Sequence, residues 1–167
     1  MIRLIHVSSA IAVIGVTWIT QPISLFKLPL IGAIAQAQQF SPSTTAPVKA
    51  ALPGKVVNDL KNYQSLKIQV GSDTYLVDKA DMTHFLTRHH PNYWDGSVKQ
   101  NQTFFNKNMT ISDVEQAIKS VMNTRRNEVI KIGTSGIGQL PDTQVGGVTY
   151  VLGLNKGHVG QFYPKVP

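Results

Sequence analysis

Cysteine is absent from these 167 residues, which excludes a disulfide framework, a thiolate nucleophile and every cysteine-bearing zinc motif. Acidic side chains are scarce, 9 against 16 Lys and Arg, and the formal net charge is +7. No Gly-x-Ser-x-Gly elbow, phosphate-cradling P-loop or His-Glu-x-x-His pattern occurs in the chain, so acyl hydrolysis, nucleotide-triphosphate chemistry and the common zinc-hydrolase pattern lack their signatures. No repeat of solenoid length is visible. What remains is a basic chain, 42% hydrophobic and 15% charged, of the size of one globular domain with a leader. The excess of positive charge suits a polyanionic partner, although solubility alone would also account for it.

The leader is legible in the first 37 residues. Arg3 precedes an apolar run from Leu4 to Ile19, Gln21-Pro22 interrupts it, and a second run ends in Ala33-Ile34-Ala35-Gln36-Ala37. These small-x-small triplets predict a signal peptide over 1–37 with Gln38 as the new N-terminus, and hence a secreted or periplasmic product without stable membrane association. The competing reading is an uncleaved anchor, which Lys27 and Pro29 oppose as a single span. Loss of Arg3 and Lys27 lowers the basic count to 14 and the net charge to +5. Residues 38–52, largely Ser, Thr, Pro, Ala and Lys without an apolar period, read as a disordered linker. A single domain is expected over 53–167.

Within it, Val56, Val57 and Leu60 predict a short helix, and Leu66, Ile68 and Val70 alternate into a hairpin through Gly71-Ser72-Asp73 to Thr74–Val77. Asp78 or Asp81 can cap the next helix, whose apolar face is Met82, Phe85 and Leu86 and whose end is enforced by Pro91. A long polar loop follows, with a short strand at Thr103-Phe104-Phe105. Ser112 and Glu115 then form a capping box for a helix carrying Val114, Ala117, Ile118, Val121 and Met122. Arg125, Arg126 and Lys131 load its end, and glycine-separated apolar runs lead to a terminal hairpin turned by Asn155-Lys156-Gly157. The predicted class is α+β, N-terminal helices packed on a C-terminal antiparallel β-sheet.

Three of the five histidines lie in Thr83-His84-Phe85-Leu86-Thr87-Arg88-His89-His90-Pro91. Imidazole exchanges protons near neutral pH, so the cluster suggests acid–base chemistry or a metal. At 100° per residue His89 falls about 20° from Met82, His90 lies on the flank and His84 stacks with Arg88 on the other side. The three therefore diverge, and a metal centre is not expected from them. Cleavage of RNA needs a base for the 2′-hydroxyl, an acid for the leaving oxygen and a cation for the developing phosphorane charge; it needs no cofactor. Strand alternation puts Gln161 and Tyr163 on one face, where an amide can bond a base edge and a ring can stack on it, with His158, Gly160 and Phe162 on the other. Arg88, Lys99 and Lys107 suit phosphate contacts, and equally suit a solvated surface.

The order of His-Phe-Leu-x-x-His-His on a helix, Thr103-Phe104-Phe105 before a capped helix, and Lys156 ahead of Gln161-Phe162-Tyr163-Pro164 resembles bacterial EndoU-type endoribonucleases, of the barnase/EndoU/RelE-like fold group. The likeness spans roughly Thr74–Pro164 and rests on short motifs. It implies metal-independent cleavage of single-stranded RNA to a 2′,3′-cyclic phosphate by two histidines and a lysine. Carried over, His84 resembles the first histidine, His89 or His90 the second, Lys156 the cation and Tyr163 the stacking aromatic, with His158 an alternative second histidine. Two departures stand out: Gln161 replaces the usual Ser or Thr, and the histidines are closer together than in that family. Arg88, Gln161 and His158 are the expected substrate contacts. Such an enzyme would be a toxin, with an immunity protein as partner, or a scavenger. The alternative is a non-catalytic exported module that holds RNA or another polyanion.

Overall fold

The computed structural model describes residues 41–43, 45, 47, 49–52, 54–100 and 102–166. The expected signal peptide and its cleavage site lie outside the described residues. Among those described, no helix is long and apolar enough to cross a membrane.

The architecture is α+β. Helix α1 (Lys55–Asp59) precedes the hairpin β1 (Leu66–Val70) and β2 (Asp73–Val77); then come α2 (Lys79–His89), α3 (Ile111–Thr124) and α4 (Arg126–Ile132), followed by β3 (Ile137–Gln139), β4 (Thr143–Val145), β5 (Val148–Asn155) and β6 (His158–Lys165). Six strands form one sheet in the order β1-β2-β6-β5-β3, with β4 also paired to β5. The expected antiparallel sheet is thus mostly so, but the early hairpin belongs to it and joins β6 in parallel at Leu76↔His158, where Leu76 N–H donates to Gly157 O at 2.9 Å. That junction is long-range and leaves no local mark in the sequence.

Alternation works as anticipated on β1 and β2, which bury Ile68, Val70, Tyr75 and Val77. Asp78 caps α2 by accepting from Asp81 N–H while the Asp81 carboxylate accepts from Asp78 N–H, so the two candidate caps act together. The helix buries Met82, Phe85 and Leu86 and ends at His89 ahead of Pro91. In α3 the box is Thr110 with Asp113 rather than Ser112 with Glu115: the helix begins two residues early because Ile111 packs against the core. Arg125, expected near the end of one helix, is a break with φ −103° and ψ 31° between α3 and a separate α4.

Phe162 organises the centre of the core. It is fully buried, stacks on Tyr150 at 5.0 Å and Phe105 at 5.8 Å, and meets Phe85 edge-on at 6.3 Å. Because neighbours on a strand point oppositely, burying Phe162 turns Tyr163 away from the core. Gly153 pairs with Gln161 but Leu154 pairs with Val159, so Gly160 is the extra residue of a bulge. The bulge keeps Gln161 on the side of Tyr163, and it reverses the face expected for His158, which lies opposite the buried Val159 and Phe162.

Two points of the stretch read from sequence as a linker bond to the domain. Ser43 forms an antiparallel bridge with Phe104, and Ala51 N–H donates to Trp94 O at 2.8 Å.

Candidate functional site: a basic cleft at the end of the histidine helix

The C-terminal end of α2 is closed by the loop that follows it. A helix leaves its last carbonyls without intrahelical donors. Here Thr87 O accepts from Asp95 N–H at 3.1 Å, His89 O from Phe105 N–H at 2.7 Å, and Arg88 O from the Gln102 side-chain amide at 2.5 Å. Loop 95–105 is therefore a cap for α2, and its wrapping brings Lys99, Gln100 and Gln102 beside the histidine helix. Between that loop, the α2 flank and the outer face of β6 lies a cleft of about 370 Å³ lined by His84, Arg88, His89, Lys99, Gln100, Gln102, Gln161 and Tyr163. Five of the eight expected site residues meet there.

His89 is the most constrained of them. Its ring lies on the Tyr163 ring with centroids 4.9 Å apart and planes 16° from parallel, and Phe105 meets it edge-on at 6.5 Å. Nδ1 is 2.8 Å from Thr103 O. A carbonyl only accepts, so Nδ1 carries the proton of the neutral ring and the Nε2 lone pair is left free. Burial pushes the imidazole below its ordinary value of 6.5, against the opposing bond to Thr103; His84 and Arg88 add repulsion of the cationic form. A neutral ring with an unshared Nε2 lone pair is a proton acceptor.

His84 is exposed one turn before Arg88, and the Arg88 guanidinium donates through one Nη to Ser97 Oγ at 2.6 Å. Lys99 is placed by Gln102, whose Oε1 accepts from Lys99 N–H at 3.1 Å. Neither Arg88 nor Lys99 has an ion pair among the described residues. Two cations, an exposed imidazole and a neutral, partly buried one thus share one concavity. Lys107, the other loop lysine considered from sequence, does not line it.

Three expected site residues stand elsewhere. His90 is fully buried: Nε2–H donates to Met109 O at 2.7 Å, and Nδ1 accepts from Asn92 N–H at 3.1 Å. Both nitrogens are spent on backbone, and burial lowers its proton affinity further, so His90 is a structural residue. Its backbone leaves the helix at φ −114° and ψ 120°, so the regular 100° step does not describe it. Lys156 occupies the β5–β6 turn with φ +47° and does not line the cleft. The strand from His158 to Tyr163 separates it from the cleft, roughly 15 Å at the ordinary rise.

His158, at the same end of β6, meets the opposite end of α2. Its Nδ1–H donates to Asp81 Oδ2 at 2.9 Å, with Asp78 Oδ2 at 3.8 Å. The Asp81 bond raises its proton affinity, Asp81 and Asp78 charge adding to the effect against partial burial. These three side chains could in geometry ligate a cation, their ligand atoms lying within 4.8 Å of one another. The carboxylates are already bonded to the first amides of α2, and the positive end of that helix disfavours a further cation. The imidazolium is itself the cation of this group.

The signal for the missed half of the cleft was present: Lys99-Gln100-Asn101-Gln102 sits between the aromatic anchors Trp94 and Phe104. Gln100 and Gln102 drew no attention because an amide in a polar loop has no periodicity to betray it. No family model matches the chain, and no curated protein and no solved structure matches it either.

Proposed function

We propose that the cleft cleaves single-stranded RNA, with His89 as base and His84 as acid. The observation that carries the reading is the tautomer of His89, held by Thr103 O, which leaves the Nε2 lone pair free on a ring that lines a concavity with His84, Arg88 and Lys99. In the reaction the ribose 2′-hydroxyl gives its proton to His89 Nε2 and its oxygen attacks the adjacent phosphorus. The bond from phosphorus to the 5′-oxygen breaks, and that oxygen takes a proton from the His84 imidazolium. The products are a 2′,3′-cyclic phosphate and a 5′-hydroxyl. Arg88 and Lys99 offset the charge that builds on the phosphorane oxygens, the part the resemblance to EndoU-type enzymes would have given to Lys156.

A cavity of this size suits about one nucleotide, and Gln161 offers it both a donor and an acceptor. One face of Tyr163 is occupied by His89, so a base stacks on the other face and the ring has a second duty in holding His89. The reaction itself requires no cofactor. The reading extends to an exported enzyme with RNA as its partner, and to an immunity protein if it acts as a toxin.

The test uses the chain from Gln38 onward with short RNA oligomers in chelator, followed by mass analysis of the ends. Fragments ending in 2′,3′-cyclic phosphate are expected, and their loss in His84→Ala and His89→Ala. No cleavage of any base composition would refute the reading, leaving RNA binding without catalysis, which saturable binding that survives both substitutions would reveal.

A further inference from the structure

We infer that the stretch ahead of α1 is a strap that positions His89 and the lysine-bearing wall of the cleft, with Ser43 and Ala51 as its two fixed points. The inference rests on the role of His89 proposed above. Loop 94–104 leaves the histidine helix at Trp94 and returns to it at Phe104, and these two rings pack edge-on at 5.9 Å, both buried. The strap is bonded to both feet. Ser43 N–H donates to Phe104 O at 3.0 Å and Ser43 O accepts from Phe104 N–H at 2.7 Å, while Ala51 N–H donates to Trp94 O at 2.8 Å.

Between those points Ala50 lies against Gly96. A Cβ on Gly96 would approach the Ala50 Cβ to 3.2 Å, and Gly96 has φ +86°, so both the contact and the backbone favour glycine there. The residues on either side of Phe104 hold His89 and β6. Thr103, next to Phe104, accepts from His89 Nδ1 through its carbonyl and donates its buried hydroxyl to Pro164 O, the neighbour of Tyr163. Phe105, on the other side, donates its N–H to His89 O at 2.7 Å.

The residues facing His89 come from three elements: His84 and Arg88 on its own helix, Lys99 and Thr103 on the loop, and Tyr163 on β6. Only the helix and the strand are held by regular secondary structure; the loop is held by its bonds to the α2 end carbonyls and, at Trp94 and Phe104, by the strap. A chain cut between Ala37 and Gln38 retains every strap residue, whereas a cut after Ser43 severs the contact to Phe104. The inference thus assigns Ser43, Ala50 and Ala51 to the positioning of the cleft wall.

Ser43→Pro in the full-length chain deletes one backbone donor and tests the assignment. Ser43→Ala is the control, since it keeps both backbone bonds. Amide exchange at Phe104 and Phe105, the His89 titration followed by NMR, and the pH profile of RNA cleavage are read together. In Ser43→Pro, exchange at Phe105 is expected to accelerate about tenfold. The His89 midpoint and the acidic limb of the profile are expected to rise together as the ring gains water, and kcat to fall roughly threefold to tenfold. Where Ser43→Pro does not fold, Ala51→Pro removes the donor at the other foot and is read the same way. A folded variant with Phe105 exchange and the His89 midpoint both unchanged overturns the strap. Should the parent cleave no RNA while exchange and midpoint still respond, the strap stands and the ribonuclease reading falls.

Discussion

The imidazole of His89 rests on the phenol ring of Tyr163, their centroids 4.9 Å apart and their planes 16° from parallel. This pair joins the last turn of α2 to the outer face of β6 and fixes the plane of the imidazole. Since the Tyr163 ring, not its hydroxyl, makes the contact, Tyr163→Phe is expected to retain cleavage within about threefold, and Tyr163→Ala to lose at least about tenfold in kcat. Steady-state kinetics on one RNA oligomer separates the two; equal losses would show that the stack is idle.

The pH dependence of kcat/KM follows from the direction of the His89 shift. Burial holds its proton affinity below the ordinary 6.5, and the base must be unprotonated, so activity is present at neutral pH and is lost only as pH falls below 6.5, through the depressed value. An acidic limb centred above 6.5 would remove His89 from the role.

His90 is expected to matter for stability alone. His90→Leu leaves Met109 O and Asn92 N–H without their partners, a cost on the order of 2 kcal/mol in urea unfolding. The folded variant should cleave RNA within about twofold of the parent, because no atom of His90 reaches the cleft.

His158 gives a pH-dependent stability of the opposite sign to that of the buried histidines. Its proton affinity is raised in the fold by Asp81 and Asp78, so its contribution is complete below the unfolded value near 6.5 and disappears as pH rises through the raised one. Being about two-fifths exposed, the pair contributes about 0.5 kcal/mol or less. Urea unfolding of His158→Gln should therefore fall slightly below the parent at pH 5.5 and coincide with it at pH 8.5. A gap that widens with pH would contradict the ion pair.

In the proposed reaction the cation is Lys99, which lines the cleft, rather than Lys156, which the resemblance would supply. Lys99→Ala is expected to lower kcat/KM about tenfold or more, since it removes a cation from the cleft, and Lys156→Ala to leave it within about twofold. The reverse ranking, measured at one ionic strength, would restore the turn lysine to the site.

Local chemistry was legible in the sequence and long-range placement was not. The caps at Asp78 and Asp81, the stop at Pro91 and the turn at Asn155-Lys156-Gly157 each act over a few residues, and each element they predict is present. Nothing local says which end of β6, and so whether Lys156, faces the C-terminus of α2. That is decided by the parallel pairing of β2 with β6 at Leu76↔His158, a contact between segments about eighty residues apart in the chain. Gly160 was visible, yet a glycine in a strand does not announce whether it is a bulge, and this one moved His158 to the other face. His84, Arg88, His89, Gln161 and Tyr163 line one cleft, although the helical wheel alone set His84 and His89 apart. The loop residues that complete the cleft are held by hydrogen bonds to helix-end carbonyls, for which composition offers no pattern.

The most direct test of the account is cleavage of an RNA oligomer carrying a single 2′-deoxy sugar at the preferred cut position, compared with the all-ribo strand under the same conditions. Attack by the neighbouring 2′-hydroxyl, with His89 as its base, predicts that the substituted strand is uncut at that bond while the all-ribo strand yields a 2′,3′-cyclic phosphate. Cleavage of both strands at that bond at the same rate would contradict it.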